Sequence, residues 1–202
     1  MASNKVKYGL RNLHYALVTE TVNTSGVTTS SYGTVKPWIG AVSANLSVTG
    51  SKTVTRADDS DYFVTFGEGG YEGELTAKQI PEDIKTSVLG YREDDNGILV
   101  EDSSSFSANV FVALMFEFQG DAHSTKHVLY KCSLSRPSIA SQTTGENGAI
   151  EPQDESLTIT AVPRVDADRL IHAETGDTTD ADASAAWYTA VPVPTFTPPN
   201  DG

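Results

Sequence analysis

Hydrophobic and polar residues alternate most cleanly between Val42 and Thr49. Val42, Ala44, Leu46 and Val48 fall on one side, and Ser43, Asn45, Ser47 and Thr49 on the other. A period of two marks a half-buried β-strand. Leu13 to Val18 forms an earlier strand, set apart by the Ser/Thr/Gly-rich stretch 23–33, which reads as a loop. Val35 to Phe66 as a whole reads as two long strands joined by a projecting polar connection around residues 50–61. An exposed connection of that length in a compact domain usually has something to touch, here a neighbouring copy of the chain.

The next strand, Gly70 to Thr76, turns Leu75 and Ala77 inward and Glu72, Glu74, Thr76 and Lys78 outward. The period then changes. Ile80, Ile84 and Val88 recur at helical spacing, Pro81 sits in the first turn, Glu82 and Asp83 favour the positive end of the dipole, and Gly90 caps the C-terminus. Asn96-Gly97 marks a tight hairpin turn. Val110 to Phe116 is apolar on both faces and must be covered on both sides, by its own domain or by a partner. His127 to Ser135 and Leu157 to Ala161 supply further strands, and Val165 to His172 one more. The fold class is mainly β: an antiparallel β-sandwich or barrel with one short flanking α-helix.

The 202 residues fit one domain with a core that needs no disulfides. A formal net charge of −13 leaves no basic footprint for gripping nucleic acid. The single cysteine, Cys132, alternates with Val128, Tyr130 and Leu134 and reads as a core thiol. No apolar signal segment follows Met1, so a secretory leader is not expected. The longest apolar run is too short to cross a bilayer, and no membrane binding is expected. Residues 174–202 form an acidic, proline-containing tail, extended or disordered in isolation, in which Trp187 and Tyr188 stand out as docking residues.

Candidate chemistry is weaker than the plain structural reading at every point. His123 and His127 have the spacing of two ligands on one helical turn, but Gly120-Asp121 and the β-type run after His127 argue for a polar hairpin tip. Glu93 to Gly97 lacks the downstream acid of a calcium loop, and the run from Asp177 to Asp182 reads as solvated tail. Gly67 to Gly73 is glycine-rich without the Lys-Ser/Thr of a phosphate loop, and its glycines fit a bend or a close backbone approach. No Ser–His–acid set assembles. No enzyme activity, cofactor or metal is expected.

Several segments, taken in order, resemble the major tail protein of long-tailed, non-contractile bacteriophages, the subunit of the tail tube. They are Val6 to Asn12 with His14-Tyr15-Ala16, Tyr71 to Leu75, Val88-Leu89-Gly90, Asn96-Gly97, Val112 to Glu117, Leu129 to Pro137 and Leu157 to Arg164. The resemblance covers roughly the first four-fifths of the chain by element order. It implies an N-terminal arm (1–12), a β-sandwich tube domain (13–173) and a divergent tail. It also implies homo-hexameric rings stacked into a tube around a tape-measure protein, with tail-tip and terminator proteins at the ends. Double-stranded DNA would pass transiently without specific binding. The protein would reside in the virion tail, assembled in the host cytoplasm.

On that footing Lys52, Arg56, Asp58, Asp59 and Asp61 of the projecting connection, with Tyr8 and Trp187 of the two termini, are candidates for subunit contact. Glu72 and Glu74 are candidates for a lumen wall that repels the phosphate backbone, and the carboxylates of residues 58–61 serve either surface. Two alternatives stand beside it. One is an acidic β-sandwich binding module of carbohydrate or adhesin type, with Trp38, Tyr62 or Tyr71 as aromatic platforms. The other is the tube subunit of a related bacterial injection machine.

Overall fold

The structure, a computed structural model, describes residues 9–50, 52–57, 60–67, 69–102, 110–118, 124–139, 141 and 153–196, with the backbone alone for 52–57 and 60–66. The strands are β1 (Leu10–Val22), β2 (Thr28–Tyr32), β3 (Lys36–Pro37), β4 (Ala41–Thr49), β5 (Lys52–Ala57), β6 (Ser60–Phe66) and β7 (Gly70–Ala77). After helix α1 (Glu82–Ser87) come β8 (Arg92–Glu93), β9 (Leu99–Val100), β10 (Phe111–Phe118), β11 (Lys126–Leu134), β12 (Glu155–Ala161) and β13 (His172–Glu174). Helix α2 (Ala181–Ala185) is last. The fold is mainly antiparallel β, as the alternation predicts, with two short helices among the described residues where one was expected.

One sheet dominates, in the order β2-β1-β10-β11-β12-β7-β4, with β3 also on β1 and β13 also on β11. Leu13 and Tyr15 of β1, Leu114 of β10, Leu129 of β11, Leu157 and Ile159 of β12 and Leu75 of β7 meet in one buried core. The sheet therefore rolls over its own inner face. The stripe Ile80, Ile84 and Val88 seats α1 against this core, and all three are buried. Gly90, at φ 77°, turns the chain away just past the helix, the left-handed conformation for which glycine is suited.

A second core lies on the opposite face of β1, β10 and β11. Ala16, Val18, Ala113, Met115, Val128 and Tyr130 are covered there by Trp187 and Val191. Both faces of β10 are thus closed within the chain, and its outer cover is the segment read from sequence as a free tail. That segment is held by β13, by Lys126 Nζ on Ser184 Oγ at 3.1 Å, and by the Tyr130 hydroxyl donating to the Pro192 carbonyl at 2.8 Å. Helix α2 opens with Asp180, whose Oδ1 accepts from the amides of Asp182 (2.9 Å) and Ala183 (3.1 Å).

Two further expectations change. Val165 to His172 is not a strand: a turn at Asp166–Arg169 intervenes, Arg169 sits at φ 49°, and pairing begins only at His172. The stretch from Val35 to Phe66 is not two long strands joined by a polar connection: it holds β3, β4, β5 and β6, and β5 lies within the expected connection. β4 pairs with β7, and β5 pairs with β6. Thr49 lies opposite Gly70 and Lys52 opposite Phe66, so pairing resumes on the far side of Gly50, Gly67 and Gly69, which belong to neither ladder. The chain makes one long hairpin whose far half is a two-stranded arm. Residues 58–59, between β5 and β6, lie outside the described residues.

Candidate functional site

The outer face of β12, β7 and β4 is built from polar residues. Antiparallel register puts Asn45, Glu74 and Thr158 in one row and Ser47, Glu72 and Thr160 in the next. The alternate rows, Ala44-Leu75-Leu157 and Leu46-Gly73-Ile159, face the core. Alternation alone thus sorts these strands into an apolar inner face and a polar outer one. Glu72, Glu74, Asn45, Ser47 and Thr158 are exposed. Thr76 and Ser156 continue the face and hydrogen-bond at 3.0 Å. Lys78, beyond the end of β7, is ion-paired to Asp154. Glu72 and Glu74 therefore share one solvent-facing surface.

This face ends at an open edge. β4 terminates the sheet, and no described residue adds a strand beyond it. A bulge between Ala41 and Ser43 interrupts its ladder to β7. Of the alternating apolar set, Ala44 and Leu46 pack on the core, whereas Val42 is exposed and Val48 is 74% exposed. The other end of the sheet is β2, also without an outer neighbour among the described residues. Unpaired edges of this kind template the addition of further strands.

Glycine lets β7 run this close to its neighbours. A Cβ on Gly73 would lie 1.8 Å from the Asn45 carbonyl oxygen, and one on Gly70 would lie 1.9 Å from that of Ala161. The glycine-rich segment thus does what its composition predicts, a close backbone approach at a strand entrance.

The remaining predicted residues fall as follows. Trp187 is 7% exposed and already covered within its own chain by the second core. Lys52, Arg56 and Asp61 lie on the arm with only their backbone described; Asp58, Asp59 and Tyr8 lie outside the described residues, as does His123. Trp38, a candidate platform, is instead 2% exposed, with its indole N–H on the Gln79 carbonyl at 3.0 Å. Burying an indole behind its single polar handle leaves no face for a ligand. Tyr71 is half-buried against His172, and the Tyr62 side chain is not described. Cys132 is fully buried, and burial pushes its thiol well above the usual range.

The buried charges support strands. Lys131 Nζ lies 2.7 and 2.8 Å from the two Glu20 carboxylate oxygens and 4.3 Å from the Phe111 ring centroid. Glu117 takes Arg11 and the Asn12 amide at 2.6 Å each, tying the bulge of β1 to β10. Tyr15 donates to Asp83 at 2.5 Å and Lys36 to the same oxygen at 2.6 Å, clasping α1 to β1 and β3. These two donors hold the Asp83 carboxyl below the usual range.

Sequence reading missed one cluster. His127 on β11 meets His172 and Glu174 on β13, with His127 Nδ1 at 3.2 Å from both His172 Nε2 and Glu174 Oε2. The sequence signal around His127 pointed to His123, and nothing local pairs residues so far apart along the chain.

No protein-family model matches the sequence, and no curated protein does. A chain of the cryo-electron microscopy structure of the anti-feeding prophage baseplate, 6-fold symmetrised, aligns with 89% of this chain and 100% of its own length at 12% identity, with a TM-score of 0.42. Similarity of that degree assigns neither family nor function.

Proposed function

We propose that this chain is a structural subunit of a phage-like tail, closing into hexameric rings that stack as a tube for the passage of DNA. The observation that carries this reading is the open β4 edge, with apolar Val42 and Val48 on it and the hairpin arm running out from the same ladder. Joining β4 of one copy to a sheet edge of the next is a head-to-tail contact between two different surfaces. Such a contact closes into a ring when its rotation allows, and stacking along the axis makes a filament. In that arrangement the acidic and hydroxyl-bearing face of β12, β7 and β4 lines the lumen, where carboxylates keep duplex DNA from adhering. The ordered sequence resemblance to tail-tube subunits supports the same assignment. A tape-measure protein and the tail-tip and terminator proteins are the partners it entails, the virion tail is its location, and no catalytic step belongs to it.

Negative-stain electron microscopy and light scattering over a concentration series test this. Wild-type protein is expected to give rings or hollow tubes. Val48→Lys is expected to keep the fold and remain monomeric, since a lysine on an edge strand blocks strand addition. A wild-type monomer that persists even with tail-tip complex and tape-measure protein overturns the proposal.

A further inference from the structure

We propose that His127, His172 and Glu174 form a binding site for one divalent transition-metal ion of the zinc type. β11 changes partner along its length: Cys132 to Leu134 pair with β12, whereas His127 to Leu129 pair with β13. At this fork the register sets Glu174 directly opposite His127 and His172 opposite Leu129. Alternation puts all four side chains on one side of the sheet. The two histidines and the glutamate therefore converge by strand geometry, not by a flexible loop.

Their spacing fits a small cation. Tetrahedral zinc, with bonds of about 2.0–2.1 Å to imidazole nitrogen, sets its ligand atoms about 3.3 Å apart. Both contacts of His127 Nδ1 measure 3.2 Å, and all three donor atoms lie within 4.8 Å of one another. Glu174, which is exposed, has the freedom to close the remaining edge. A single Nδ1 proton serves only one of the two neighbours at a time, whereas a divalent cation serves all three donors. Two imidazoles with one carboxylate favour zinc, nickel or cobalt over calcium or magnesium, which prefer all-oxygen sets.

The rings are braced for this. His127 stacks on Phe116, with centroids 5.3 Å apart, and meets the edge of Phe118 at 5.2 Å; His172 packs on Tyr71 at 5.6 Å. The cluster opens on a cleft of about 360 Å³ that also reaches Ala44 to Leu46 of β4, leaving room for water as the fourth ligand. The ion would bind β13 to β11 and so fasten the C-terminal segment over the second core.

The test uses the full chain, stripped of metal, dialysed against zinc chloride and assayed for bound zinc per chain, with cobalt substitution read by visible absorption. One equivalent of zinc and the intense bands of tetrahedral cobalt are expected. So is a rise in Tm of about 5–10 °C at a hundredfold excess over Kd. Glu174→Gln and His172→Gln, both at positions that are not buried, are expected to weaken binding at least about tenfold and to abolish the Tm rise. His14→Gln is expected to change nothing. No retained zinc, or equal retention by the Glu174→Gln and His172→Gln proteins, overturns the site.

Discussion

At the scale of the residue, the tightest constraints are one missing side chain and one carboxylate. Gly73 owes its identity to the Asn45 carbonyl, which occupies the space a Cβ needs. Gly73→Ala must push β4 and β7 apart, and the expected loss, about 3 kcal/mol or more, is at the upper end for a single substitution. Gly176→Ala, where nothing lies within 4 Å, is expected to stay within about 0.5 kcal/mol. Urea titration of both variants checks this. Asp83 makes a prediction in pH. Lys36 and the Tyr15 hydroxyl lower its folded-state pKa below the unfolded value of about 3.9. The stabilisation is therefore complete above that value and disappears as pH falls through the folded one. Comparing urea midpoints of wild type and Asp83→Asn from pH 6 to pH 2.5, the gap is expected to be present at the top of the range and to close toward the bottom. Half-exposure of the carboxylate keeps the effect small.

At the scale of the element, the helix α1, the Asn96-Gly97 turn and the strands β7, β10, β11 and β12 were legible because each carries its own period or punctuation. The turn is held as its chemistry requires: Asp94 Oδ1 accepts from the amides of Asn96 and Ile98, and Gly97 sits at φ 81°. The partnering of strands was not legible. The alternation of Val42 to Val48 is the clearest in the chain, yet it belongs to an edge strand, because a period of two reports which side faces inward and not what lies alongside. Helix α2 was hidden for another reason. Asp180 followed by an alanine-rich run is a helix start, but seven acidic residues against one arginine after Val165 made the whole segment look unstructured. Trp187 was the contrary signal, and it is the residue that anchors the segment. Trp187→Ala is expected to cost about 3–5 kcal/mol. It should also raise the fluorescence of an apolar dye as the second core opens, measurable by thermal unfolding and dye titration in parallel.

At the scale of the molecule, the net charge of −13 and the all-polar outer face of β12, β7 and β4 bear on the same question. If that face lines a channel, reversing its sign converts a passive wall into a binding one. Tubes assembled from Glu72→Lys/Glu74→Lys protein are expected to retain duplex DNA at low salt and release it steeply as salt rises, while wild-type tubes retain none at any salt. Sedimentation of tubes with labelled DNA reads both outcomes directly. The polar face followed from alternation, but the edges were beyond the reach of sequence pattern, since they are defined by which strands come last in the sheet.

The outer cover of β10 and β11 also sets an order of events. Ala113, Met115, Val128 and Tyr130 leave the ribosome well before Trp187 does. At about 5–20 residues per second, roughly 3–11 s separate Tyr130 from its lid. For that interval the nascent sheet displays an apolar surface that its own chain has not yet supplied the means to hide. Closure of the second core waits until Trp187 and Val191 have been made.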